Sequence, residues 1–139
     1  MHRRPICISA VAGLLLLATV IAAVVGTSLL VPGTVLDRMW ELNKLAYSVF
    51  QSFGRASGLL FLLLSLCTAY AAVGLLKGDC KARWLAVGLF AVNGLGDVVN
   101  LVRPANRLGG AVGILIAATA LFYLSRPSAA AFFDRRRDV

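Results

Sequence analysis

The chain has 139 residues, 60% of them hydrophobic and 14% charged, against roughly 45–50% apolar and about 25% charged residues in a soluble domain. That balance excludes an ordinary soluble fold and points to one polytopic membrane unit, with no second domain expected. The formal net charge of +8 does not signal nucleic-acid binding, because the basic residues sit at the ends of apolar blocks, where Lys and Arg face lipid headgroups and set topology.

Residues 1–33 open with a basic start, continue as an apolar run over 6–31 and stop at Pro32-Gly33. The apolar core of a secretory signal is about 7–15 residues, so this longer run is expected to be a retained first span. His2 is the only histidine in the chain. His-ligated haem, a His-rich zinc site and Ser-His-Asp or Cys-His catalysis within the spans are therefore excluded. Cys7, Cys67 and Cys80 contain no CxxC pair, which removes the thioredoxin-like reading. Cys67 lies mid-span and reads as a small apolar residue. No catalytic group, metal-ligand set or cofactor is expected.

The segment 34–55 is too polar to span. Val35, Met39, Leu42, Ala46, Val49 and Phe53 recur at steps of four and three and form one apolar stripe. Asp37, Glu41, Lys44, Ser48, Gln51 and Arg55 form the opposite stripe. Thr34 followed by Asp37 resembles a capping box. The pattern predicts an amphipathic helix that lies in the membrane interface or caps the bundle, with Trp40 and Tyr47 at headgroup level. Asp37 and Glu41 stand one helical turn apart and could hold a hard cation. The favoured reading is a solvated face at a helix start, where negative charge suits the dipole and Glu41 pairs with Lys44.

Residues 56–76 form the second span, 83–102 the third and 108–124 the fourth. The fourth would cover only about 25 Å, the short end of what crosses a bilayer. Ser57, Ser65 and Thr68 in the second span are expected to bond back to their own helix. Small residues recur at Ala18, Ala22 and Gly26 in the first span and at Gly109, Gly113 and Ala117 in the fourth. Such ladders let helices approach closely, within the bundle or between copies in a homo-oligomer. The basic tail, 125–139, breaks at Pro127 and places Phe132 and Phe133 before Arg135, Arg136 and Arg137, as in an interfacial anchor. "GRASG" and "VNGLG" match no nucleotide-binding pattern.

Four spans put both termini on one side. The termini and second connection hold Arg3, Arg4, Lys77, Lys81, Arg83, Arg126, Arg135, Arg136 and Arg137; the first and third connections hold Arg38, Lys44, Arg55, Arg103 and Arg107. The positive-inside rule places the first group, and both termini, in the cytoplasm.

The third span carries Asn93, Asp97 and Asn100, spaced four then three and so on one helix face. Asp97 lies about 8 Å from the outer end of the helix rather than at the midplane. An aspartate at the centre costs roughly 2.5–3.5 kcal/mol on insertion scales, less toward the interface. Arg55 and Arg103 are its candidate counter-charges on the same side, with Lys44 and Arg107 nearby. Gly94 and Gly96 leave room for a neighbouring backbone or a ligand. The cluster reads either as a helix-to-helix pairing, with Arg55 the expected partner, or as an outer-side ligand site formed by Asn93, Asp97, Asn100 and Arg55.

The segments "GTVLDRMWELN", "RWLAVGLFAVNGLGDVVNLV" and "RPSAAAFF" resemble a group of small, uncharacterised four-span bacterial integral membrane proteins. The likeness covers most of the chain from residue 33 onward. It implies a four-helix membrane architecture and no activity. The expectation is an all-α protein of the bacterial plasma (inner) membrane, with four transmembrane helices and an amphipathic interfacial helix between spans one and two. It would be non-enzymatic and would bind a small ligand, lipid or partner at the outer polar cluster. An oligomeric small-cation or proton-coupled transporter or channel is the first alternative, although coupling sites favour the midplane. An enzyme acting on lipid or quinone is the second, weakened by the absence of a nucleophile-base pair.

Overall fold

The computed structural model describes residues 6–42, 44–102, 107–127, 129 and 133. Five α-helices and one 3-10 helix follow in order: α1 (Ile6–Leu30), the 3-10 helix (Val35–Leu42), α2 (Lys44–Ser52), α3 (Arg55–Lys77), α4 (Cys80–Val102) and α5 (Arg107–Ser125). No strand occurs among the described residues. Helices α1, α3, α4 and α5 are each long and apolar enough to cross a membrane. The chain is thus an all-α membrane protein with an interfacial helix between its first and second spans. It divides into two units, Leu15–Ala69, and Met1–Leu14 with Tyr70–Val139.

In the first unit α1 meets α3 where Gly26 lies against the Gly58 carbonyl and Leu62. Lipid tails are as apolar as leucine, so the contact rests on close van der Waals approach and interhelical hydrogen bonds. Ser65 Oγ donates to the Thr19 carbonyl at 3.0 Å and Thr19 Oγ1 to Thr68 Oγ1 at 3.0 Å. Ser65 therefore bonds across helices. The expectation of a bond back to its own helix holds for Thr68, which donates to the Leu64 and Ser65 carbonyls.

The segment expected as one helix over 34–55 is built from two pieces, the 3-10 helix and α2. At three residues per turn the first piece shifts phase against an α-helical stripe. Trp40 rather than Val35 consequently turns inward: Trp40 is 8% exposed, Val35 81% and Phe53 68%. The side chains of Leu42 and Ala46 lie outside the described residues. Trp40 packs with Val25 and Leu29, flanked by Met39, Tyr47, Phe50 and Phe61. Its ring centroid lies 5.2 Å from Tyr47, and Phe50 meets Phe61 edge-on at 5.1 Å. The indole N–H donates to Ser28 Oγ at 3.0 Å, and Ser28 donates to the Val25 carbonyl at 2.9 Å. Trp40 is thus a buried keystone with its polar atom satisfied. The entry is fixed by Asp37, whose Oδ2 accepts from the Gly33 N–H at 2.6 Å. That is one residue earlier than a capping box requires.

In the second unit α3 turns into α4 through two residues. Gly78 takes φ 77°, its N–H bonds the Leu75 carbonyl at 3.2 Å, and the Asp79 N–H bonds the Gly74 carbonyl at 2.9 Å. This is a Schellman ending with glycine at its left-handed position. Asp79 then caps α4, its Oδ1 accepting from the Lys81 N–H at 2.9 Å. Tyr70 donates its hydroxyl to Asp79 Oδ2 at 3.1 Å. The cap explains why α4 starts at Cys80 and not at the expected 83. Ala71, Ala72 and Leu75 of α3 and Ala82 and Ala86 of α4 are fully buried. Arg83 is held within the unit: its Nε donates to the Leu124 carbonyl at 3.0 Å, at the end of α5, and its guanidinium lies 5.7 Å from the Phe133 ring centroid. Phe133 is 1% exposed, which replaces the expected interfacial role of that ring; Phe132 and the tail arginines lie outside the described residues.

Asp79→Ala removes the α4 cap and should lower stability by about 1 kcal/mol, whereas Asp79→Asn, which keeps a capping acceptor, should lose much less. Denaturant unfolding in mild detergent reads the difference. The two tryptophans differ in access, Trp40 being buried and Trp84 66% exposed. In bilayers, brominated acyl chains should quench Trp84 in a Trp40→Phe protein strongly and Trp40 in a Trp84→Phe protein weakly.

Candidate functional site

Four carboxylates lie among the described residues: Asp37, Glu41, Asp79 and Asp97. Asp37 and Asp79 accept backbone N–H bonds at turns and helix starts, so their chemistry is structural. Asp37 Oδ1 is buried and has no hydrogen-bond partner among the described residues. Glu41 is exposed and forms no salt bridge with Lys44. Asp97 stands apart because it lies inside an apolar span.

The sequence-predicted residues of α4 are brought together on one face. Asn93 Nδ2 donates to Asp97 Oδ2 at 3.1 Å, a bond made one helical turn along the same face. Asn93 is exposed, and Asp97 and Asn100 are half-buried. Asn100 makes no hydrogen bond among the described residues, so its side chain does not orient Asp97. Arg55, the exposed first residue of α3, belongs to the other unit. Arg103 lies outside the described residues.

The partner surface is the glycine face of α5, the small-residue ladder of the fourth span, whose pairing with the Asp97 face the sequence did not show. Gly110 is buried, and a methyl group there would meet the Asp97 carbonyl and the Leu101 N–H at 2.7 Å. A methyl group on Gly113 would overlap the Asp97 carboxylate itself. One turn further on, Gly94 of α4 faces Ala117. The small-residue ladder of α5 is thus used inside the chain, in the register Gly110, Gly113, Ala117; Gly109 is exposed. Gly96, by contrast, faces open space. The spacing of Gly94 and Asp97 against Gly113 and Ala117 was visible in the sequence, but nothing in a single sequence pairs the two helices.

The carboxylate is therefore held on three counts: by its own helix, by the Asn93 amide and by the α5 backbone beneath it. A neutral amide supplies about 0.6 kcal/mol in a membrane on average, well short of the roughly 2.5–3.5 kcal/mol that a central aspartate costs. Asp97 has no salt-bridge partner among the described residues of its own unit. The arrangement can present a positioned carboxyl acceptor to a cationic group. A comparison with protein-family models, curated proteins and solved structures yields no match.

Gly113→Ala should destabilise the protein by forcing the Asp97 side chain aside. Adding Asp97→Ala should return part of that loss, a coupling of about 0.5–3 kcal/mol. Gly110→Ala, which meets backbone, should show no such rescue. Unfolding of the single and double variants measures both couplings.

Proposed function

We propose that this is a small, non-enzymatic, multi-pass protein of the bacterial plasma membrane, with both termini cytoplasmic, that binds a cationic group at the Asp97 face of α4 and α5. The ligand is a small cation, an amine-bearing lipid headgroup or a basic side chain of a partner. The observation that supports this reading is a span carboxylate, fixed in place, whose one hydrogen-bond partner among the described residues is a neutral amide. Asn93 orients the acceptor, Gly113 backs it, and Asn100 borders the site. The orientation rests on the distribution of basic residues, and the bacterial setting on the resemblance of the amphipathic and α4 segments to small bacterial membrane proteins.

The Gly113 contact favours a second reading, in which Asp97 serves only to join α4 to α5. The two readings part in thermal unfolding of the purified protein with metal cations, alkylamines and amine-bearing lipids. A ligand that binds only the folded state stabilises it, by about 2.7 kcal/mol at a hundred times its Kd. The proposed function requires at least one such compound to raise the melting temperature of the wild type and to lose its effect in Asp97→Asn. If none stabilises the wild type and Asp97→Asn simply melts lower, the carboxylate is structural. A stabilising cation that also crosses liposome membranes only with the wild type would favour the oligomeric transporter.

A further inference from the structure

Two adjoining hollows lie between the start of α1 and the end of α5. Cys7, Val11 and Tyr123 line both. The larger, about 380 Å³, is otherwise walled mainly by apolar side chains, among them Leu14, Leu115 and Ile116. The Thr119 Oγ1 hydroxyl on its wall is turned back onto the Leu115 carbonyl at 2.7 Å. The smaller, about 50 Å³, ends on Arg126. Polarity therefore runs one way, from an apolar trough to a cation.

Arg126 directly follows α5, whose 19 residues cover about 28 Å, close to the thickness of a bilayer core. Its guanidinium thus stands at headgroup depth. It stacks over Phe122 at 4.7 Å and Tyr123 at 5.6 Å, which fixes its position, and it forms no salt bridge among the described residues. The larger hollow is a partly open, mainly apolar trough that an extended chain of methylenes can enter.

We propose that this groove binds one anionic phospholipid, with an acyl chain in the larger hollow and the phosphate at Arg126. The site is separate from the Asp97 face, so either can fail without the other. A lipid with a net negative headgroup is preferred because the cation has no salt-bridge partner among the described residues. Basic pockets between spans hold anionic headgroups in this manner.

The test is native mass spectrometry of the full-length protein from micelles holding equal amounts of phosphatidylglycerol and phosphatidylcholine. The wild type should retain one phosphatidylglycerol in preference to phosphatidylcholine. Arg126→Gln should weaken that retention about fivefold, the weight of one basic side chain at an anionic surface, and Arg126→Lys should keep most of it. Ala10→Trp, at an exposed position lining the trough, should abolish retention of either lipid. Equal retention of the two lipids by the wild type would overturn the proposal, as would full preference in both Arg126→Gln and Ala10→Trp. So would loss of preference in an Arg135→Gln, Arg136→Gln, Arg137→Gln protein but not in Arg126→Gln, which would assign the effect to the tail. A dimer broken by Ala10→Trp would give the groove to a second copy.

Discussion

Helices α4 and α5 approach closely where Gly110 sits on the backbone of Asp97 and Leu101 and Gly113 on the Asp97 carboxylate. Within a bilayer, apolar burial offers little drive for helices to associate, so contact area and hydrogen bonds decide it. Glycine is the residue that lets two backbones meet there. The same contact sets where the carboxylate can go. With α5 beneath it and Asn93 beside it, the side chain is packed and hydrogen-bonded before any ligand arrives. That preorganisation is what turns a costly intramembrane acid into a plausible acceptor.

Other parts of the chain solve local problems with local chemistry. The turn between α3 and α4 satisfies its exposed helix ends with Gly78 and Asp79 alone, and Arg83 bonds a carbonyl near the end of α5. In the unit formed by Leu15–Ala69, the 3-10 helix and α2 carry a rim of aromatic rings around Trp40, tied to α1 through Ser28. Carboxylates are used at both turns as backbone acceptors. Among the described carboxylates, Asp97 alone is set on a span, bonded to a side-chain amide.

Much of this fold was legible in the sequence, because hydropathy over long runs needs no knowledge of neighbours. The four spans and the amphipathic segment between the first two follow from it directly. What was not legible depended on pairing or on fine periodicity. Over eight residues a 3-10 and an α-helical stripe differ too little to separate, so Val35 was placed on the apolar stripe and Trp40 was not, whereas Trp40 is buried and Val35 exposed. The Gly78-Asp79 pair carried a turn and cap signal, and it moves the start of α4 back to Cys80. Phe133 and Arg83 read as membrane anchors until the end of α5 brings them together. The Asn93–Asp97 face was visible from spacing alone, whereas its seat on Gly113 is a long-range contact that spacing cannot encode.

The most direct test of the account is a solid-state NMR measurement in lipid bilayers, with ¹³C at the aspartate side-chain carboxyl and the glycine Cα, and with Asp97→Asn and Gly113→Ala proteins to assign the signals. The account predicts a direct cross-peak between Asp97 and Gly113, with a carboxyl shift that moves when a binding cation is added. A carboxyl signal with no contact to Gly113, unmoved by every cation tried, would contradict it.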